Sequence, residues 1–488
     1  MLKNIKMITT LKAFAVLAAY ALLSILPSLS FADLVKSSAA DQTDLAVTIY
    51  NSDLAMIRDR RKLSLPVATV DLAFEDISGR IKPETAQLRS LSSASSLNLL
   101  EQNFEFDLLS PEALLTAYLG KTVGVLSSNP TTGERTERIA TVLSTQGGVV
   151  LQFSDHIETY RQGSNDFVFS SVPANFRARP TLLMTLENTH EGAQDLELNY
   201  LSQGLSWEAN YIAQLNEEET FLNLNAWVTL TNQSGTTYNN AQLQLVAGEV
   251  NTVPELNHRQ DMVYEMAVMS KASNQFTEEG AFDYHLYKLN RPTDLKNNQT
   301  KQAALFAASA VPVKKSYVAT LQSHIYMSPQ RQTQSDVEVA TRLQFVNDKN
   351  SNLGNPLPKG TVRIYQNGAN GQTLFIGEDH VDHTAMGKIV SLNPGNAFDI
   401  TAKREQLKFE QLPVSKPYRT QTQTTVRTTV FNAKGVPVQV RVEEFIPGEW
   451  QILSGKAADE KVGNTAVWLV DVPAKGEASF SHIIRVKL

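Results

Sequence analysis

From Leu196 to Leu230 the chain keeps one side apolar at every second residue. The segment "LELNYL" aligns Leu196, Leu198 and Tyr200; "LSWEANYIA" aligns Leu205, Trp207, Ala209, Tyr211 and Ala213; "LNLNAWVTL" aligns Leu222, Leu224, Ala226, Val228 and Leu230. A period of two is the spacing of a half-buried strand, whose successive side chains point to opposite faces. Three such runs in succession predict an antiparallel sheet that must cover its apolar face, most simply as one half of a β-sandwich. The pattern returns in "GTVRIYQNGANGQTLFIGED", a hairpin around Gly368 to Gly371, and in the closing pair "AVWLVDVPAKGEASFSHIIRVKL". The expected fold class is therefore mainly β and multi-domain, with one or two antiparallel β-sandwich domains in the C-terminal region, 173–488.

A chain of 488 residues exceeds the size at which one hydrophobic core keeps growing, so further domains are expected. Short alternating runs between Leu45 and Ile77, broken at Asn51-Ser52-Asp53 and at Pro66, predict a small N-terminal β domain over 33–105. Its basic run "RDRRK", Arg58 to Lys62, could bind an anion, but alternation spreads it over both faces. It reads better as a solvated strand edge, where charge discourages edge pairing. "SPEALLTAYLG" predicts one short helix, with Ser110 as N-cap, Pro111 at the first helical position and Gly120 as the stop. The strands and turns that follow, punctuated by "NPTTG" and "QGG", predict a small barrel-like domain over 106–172. Residues 254–282 lack a sustained period and are polar with scattered methionines, which predicts a mobile surface insertion within the sandwich region.

Residues 1–32 differ from the rest. Lys3, Lys6 and Lys12 precede an apolar run from Ala13 to Leu26, and Ser30 and Ala32 supply the small residues of a signal-peptidase site. The run is shorter than the ~20 residues that span a bilayer. A signal peptide cleaved after Ala32 is expected, and with it a periplasmic or secreted location. Removing its three lysines would take the formal charge from −6 to −9, which makes nucleic acid a poor partner. No later segment has the length of a transmembrane helix. The absence of cysteine excludes disulfides, thiolate nucleophiles and cysteine metal ligands, and in an exported chain of this size it points to a bacterial source.

Chemistry-bearing motifs are sparse. "GLSWE" stops one residue short of the G-x-S-x-G elbow, with Glu208 where the final glycine would stand, and its alternation continues as strand. Ser206 is thus read as a solvent-side hydroxyl. "GEDHVDH" offers His380, Asp382 and His383. On a strand His380 and Asp382 share one face, a spacing that can begin a metal site but leaves a third ligand to be found elsewhere. Polar residues bonding turn amides at a hairpin end are the simpler reading. No Rossmann, P-loop or EF-hand pattern is present, so no cofactor is expected.

Several stretches together, "YLSQGLSWEANYIAQL", "NAWVTLTNQSGTTYNNAQLQLVAGEVN", "YHLYKLNRPTDLKNNQTKQAAL", "VPVKKSY", "LPKGTVRIYQ" and "IGEDHVDHTAMGK", resemble the exported bacterial proteins grouped as domain of unknown function 4139, akin to the mucoidy-inhibitor-like proteins. The resemblance covers about residue 180 to the C-terminus. It implies a setting in envelope or exopolysaccharide physiology and supplies no catalytic residue. It also implies that "YHLYKL" and "KQAALFAAS" are ordered strands, which would end the mobile part near Phe282. Two functions follow as expectations: a non-enzymatic envelope protein that binds a protein or polysaccharide, and, as the alternative, an envelope-directed hydrolase, metal-dependent if His380, Asp382 and His383 serve as ligands.

Overall fold

The alternating run folds as its spacing dictates. Leu205, Trp207, Ala209, Tyr211 and Ala213 are all buried on one face of the strand Leu205–Leu215, with Ser206, Glu208 and Asn210 on the other. This strand pairs antiparallel with Phe221–Asn232, from Leu205 opposite Asn232 to Leu215 opposite Leu222. The computed structural model describes residues 34–488 except 52, 94, 106–109, 129–132, 161–165, 174–175, 177–178, 249–275, 282–283, 322, 331–333 and 369. The expected signal segment 1–32 and residues 254–275 and 282 of the expected insertion lie outside the described residues. Within that insertion, Phe276–Ala281 is a strand paired with Tyr284–Leu289.

By its internal contacts the chain divides into two units, Met1–Asp44 with Arg58–Tyr200, and Leu45–Ile57 with Leu201–Leu488. The first unit contains a four-stranded sheet in the order Leu34–Ser37, Ala68–Glu75, Thr181–Asn188, Leu97–Glu105, its first pair parallel and the others antiparallel. It also contains a five-stranded antiparallel sheet in the order Ile157–Tyr160, Val149–Gln152, Arg135–Ser144, Thr122–Ser128, Asp166–Val168. The short helix, Pro111–Ala117, covers this second sheet. Ser110 Oγ accepts the Ala113 N–H at 3.1 Å, and Gly120 takes the left-handed φ of +75° beyond the helix end. Leu115 and Tyr118 from the helix segment join Val123, Val125, Ala140, Val142 and Leu151 in one core. The barrel-like expectation needs refinement here. Among the described residues the outer strands do not pair with each other, so the sheet stays open and the helix supplies the cover that closure would give.

The basic run corrects its sequence reading. Arg61 is fully buried and Asp59 nearly so, which a solvated edge does not allow. Arg61 Nη2 meets Asp59 Oδ2 at 2.8 Å, its guanidinium donates to the carbonyls of Ser37 and Glu75, and it lies 3.6 Å from the centre of the Phe74 ring. On the opposite face Arg58 pairs with Asp44, and Arg60 and Arg89 converge on buried Glu197. The alternation was right about two faces, but each guanidinium of the run is ion-paired: Arg61 with Asp59 of the run itself, and Arg58 and Arg60 with carboxylates from other strands.

The second unit carries longer strands. A five-stranded sheet runs Gln299–Pro312, Phe221–Asn232, Leu205–Leu215, Gly360–Asn367, Thr373–Val381. A nine-stranded sheet runs Glu449–Gly455, Gly476–Lys487, Gln421–Asn432, Ile389–Gln411, Gln334–Val346, Lys314–Leu321, Val438–Phe445, Thr465–Val472, Glu460–Val462. Ala319, Val339, Ile400, Val426, Val440, Trp468 and Ile484, one from each of seven of its strands, share a single core, so this sheet folds over itself as a sandwich. Among the described residues of this unit the expected antiparallel pattern is interrupted in three places. Leu205–Leu215 lies parallel to Gly360–Asn367, Lys314–Leu321 parallel to Val438–Phe445, and Ala46–Tyr50 parallel to Gln242–Val246. Period two sets which face a residue occupies and carries no information on strand direction, which is free when the partners are far apart in sequence.

Four asparagines are sealed at strand ends: Asn188 in the first unit, and Asn232, Asn347 and Asn432 in the second. Each donates from its Nδ2 to at least two backbone carbonyls and accepts a backbone N–H at its Oδ1.

Candidate functional site

Ser206 lies on the outer face of a strand that runs on to Leu215, with Thr231 as its cross-strand neighbour. The sharp strand-to-helix turn of a nucleophile elbow is absent at this position.

The His380, Asp382 and His383 segment lies at the open end of the hairpin Gly360–Asn367/Thr373–Val381, away from its turn, and leads to Ile389–Gln411 in the other sheet, so the expected hairpin-end turn is not formed by it. His380 is in the strand Thr373–Val381, opposite Thr361, whose hydroxyl lies 3.4 Å from the His380 Nδ1. Asp382 and His383 lie past the strand end. The Asp382 carbonyl accepts the Thr384 hydroxyl at 2.7 Å, and His383 Nδ1 accepts the Lys359 N–H at 3.2 Å. Neighbouring Asp379 takes the backbone N–H groups of His380 and Asn393. Among the described residues no group of three or more histidines, aspartates and glutamates is gathered as a metal cage.

The strongest concentration of reactive side chains is elsewhere, inside the nine-stranded sandwich. Arg404, Glu444 and Tyr326 are completely buried and His482 is 1% exposed. Each of the three strand residues continues an apolar alternation: Ile400, Ala402, Arg404; Val440, Val442, Glu444; and, in reverse, Val486, Ile484, His482. The pleat therefore carries them into the core with their neighbours. Tyr326 arrives from the short helical turn Ser323–Tyr326, whose last carbonyl accepts the Thr422 hydroxyl at 2.8 Å. Arg404 Nη2 is ion-paired to Glu444 and donates to the Tyr326 hydroxyl at 2.6 Å. The same hydroxyl lies 3.4 Å from His482 Nε2. The His482 ring stacks on Trp468, 4.8 Å between centres and 7° from parallel.

Burial dominates the electrostatics of this cluster. It raises the Glu444 carboxyl against the pull of Arg404, and raises the Tyr326 phenol further with the help of the Glu444 charge. Burial opposes the Arg404 charge, but the Glu444 carboxylate outweighs it and the guanidinium stays protonated. Burial, then the Arg404 charge, push His482 down to about 4, so it is neutral at physiological pH. A tyrosine, arginine, glutamate and histidine in contact have the elements of acid-base chemistry. Sealed from solvent, they tie together the strands that carry them. These residues were missed in the sequence, although the signal was present: a charged residue in phase with an apolar alternation.

A second cluster lies on the small sheet of the first unit and is partly exposed. Arg138 makes two hydrogen bonds to Glu158, at 2.8 and 3.0 Å, and lies 4.3 Å from the centre of the Phe153 ring. His156 bridges Asp155 and Glu158 at 2.6 and 2.7 Å. Arg138, Tyr160 and His156 hold Glu158 down to about 2, and the two carboxylates raise His156. Each charge in it is neutralised by its neighbour.

Compared with known proteins, residues 196–488 match the profile described as Domain of unknown function (DUF4139). The chain belongs to this family. No curated protein matches it. The DUF4139 match includes the buried Tyr326, Arg404, Glu444 and His482 cluster and the His380 hairpin, and it begins within the strand Ala193–Ser202. Among the described residues no helix is long and apolar enough to cross a membrane.

Proposed function

We propose that this DUF4139 chain is an exported bacterial cell-envelope protein, periplasmic or secreted, whose β-rich domains bind an envelope protein or polysaccharide and do not catalyse a reaction. The observation that carries this reading is the burial of Tyr326, Arg404, Glu444 and His482: the side chains best suited to acid-base work hold the sandwich together and have no access to a substrate. The lysines, apolar run and small residues of positions 1–32 support export.

Crosslinking in the envelope followed by isolation of the chain is expected to yield a defined protein or glycan adduct, on a chain whose intact mass begins at Asp33. A chain retained in the cytoplasm with Met1 to Ala32 attached would overturn the reading. So would metal content. Protein purified without chelator is expected to hold substoichiometric metal both as wild type and as the His380→Ala, Asp382→Ala, His383→Ala variant. Near one equivalent in the wild type, lost in the variant, would establish the metal-dependent hydrolase instead.

A further inference from the structure

At the turn joining Leu205–Leu215 to Phe221–Asn232, the second unit has a shallow concavity lined by Gln214, Asn216, Phe221, Asn223, Ala310 and Asn367. Three of its amides are only half used. Asn367 Oδ1 accepts from Gln214 Nε2 at 2.8 Å, and Asn223 Oδ1 accepts the Ala310 N–H at 3.0 Å. Gln214 Oε1 and the Nδ2 groups of Asn223 and Asn367 have no protein partner among the described residues. Beside them Phe221 is 46% exposed.

We infer that this concavity is a subsite for a neutral glycan, an inference that rests on the reading of the chain as an envelope-binding protein. A sugar ring offers an apolar C–H face bordered by hydroxyls, each able to donate and accept. Phe221 supplies a flat apolar platform, and the free amide ends supply two donors and one acceptor beside it. The local charge disfavours an acidic polymer. Glu217 and Glu218 are exposed on the turn, and Lys315 is held by Glu219 at 2.6 Å. The strands that floor the concavity are already paired to each other, Leu215 with Leu222 and Phe221 with Pro312, so an added peptide strand finds no ladder between them.

The test is titration calorimetry of the full exported chain with neutral hexose and N-acetylhexosamine oligosaccharides, beside uronate oligomers of equal length. At least one neutral oligomer is expected to bind and the uronates are not. Phe221→Ala is expected to weaken binding by ~10-fold or more. Asn223→Asp and Asn367→Asp keep the oxygens that accept from Ala310 and Gln214 while removing the outward donors. They are expected to weaken binding with the melting temperature preserved, which separates recognition from folding. Neutral binding untouched by all three variants would overturn the site and leave the broader binding function standing. No neutral binding, or preference for the uronates, would overturn the glycan. Crosslinking to an envelope protein in that case would still support a binding protein.

Discussion

Asn432 does at the end of one strand what Asn232 does at the end of another, two hundred residues earlier in the sequence. Each carboxamide nitrogen donates to the carbonyl four residues ahead, Thr236 or Val436, and to a carbonyl of a distant segment, Leu295 or Pro473, at 2.9 to 3.0 Å. Each carboxamide oxygen accepts the N–H two residues ahead, Ser234 or Lys434, at 3.0 Å. Both residues are followed three positions later by glycine, in "TLTNQSG" and "TVFNAKG". The side chain thus closes its own turn and fastens it to a neighbouring strand.

Replacing Asn432 by alanine removes a buried carboxamide together with its hydrogen bonds to the Val436 and Pro473 carbonyls and the Lys434 N–H. Chemical denaturation is expected to show a loss of ~2–4 kcal/mol. Asn432→Asp should cost more than alanine at neutral pH, because a carboxylate oxygen would then face carbonyl oxygens. A stability equal to wild type for the aspartate would show that the latch is not fastened in solution.

Removing one partner of the Arg404 and Glu444 pair strands a charge inside the sandwich. Glu444→Ala is expected to destabilise by ~3–5 kcal/mol, whereas Arg404→Met combined with Glu444→Leu should lose much less than either single change. The comparison of three melting curves checks it; additive losses in the double variant would count against the pairing.

His482 makes stability pH-dependent in a defined window. Its pKa falls from the ordinary 6.5 to about 4 on folding, so between those values the unfolded chain holds a proton that the folded chain does not. Stability therefore rises with pH from about 4 to 6.5 and falls on acidification, by on the order of 3 kcal/mol across the window. His482→Phe keeps a ring against Trp468 and should flatten that part of the profile. An unchanged slope would mean that His482 does not titrate as the buried position requires.

Glu197 acts at lower pH. Burial opposes its charge, but Arg60, Asn199 and Arg89 together hold it down to about 2. Its contribution is present above the ordinary carboxylate value and is lost as pH falls towards 2. Because the Arg60 and Arg89 side chains are 35% and 64% exposed, solvent screens the pairs, and Glu197→Gln is expected to cost only ~1–2 kcal/mol at pH 7. Urea melts of both proteins between pH 2 and 5 should converge on acidification.

Much of this fold was written in local spacing. The strands of Leu196 to Leu230, the helix with Ser110, Pro111 and Gly120 at its ends, and the strands at "YHLYKL" and "KQAALFAAS" follow from period, capping and family resemblance. Pairing direction was not legible, since Gly360–Asn367 meets Leu205–Leu215 across more than a hundred residues. Arg61 was misread for a related reason: its burial depends on acceptors at Ser37, Asp59 and Glu75, supplied by tertiary structure. The buried cluster was half legible. Arg404 and Glu444 stand in core phase in the sequence, but only the fold shows that they meet each other and Tyr326.

The place of Gly476–Lys487 in the nine-stranded sheet sets a condition on how the chain can mature. This last strand lies between Gln421–Asn432 and Glu449–Gly455, and it brings His482, Ile484 and Val486 into the core. Without this strand that sandwich is not complete, so its core waits until Gly476–Lys487 has been made, whatever route the chain takes through the cell. Until then the long strands made earlier carry open edges, and a nascent chain of this kind depends on being kept apart from its own copies.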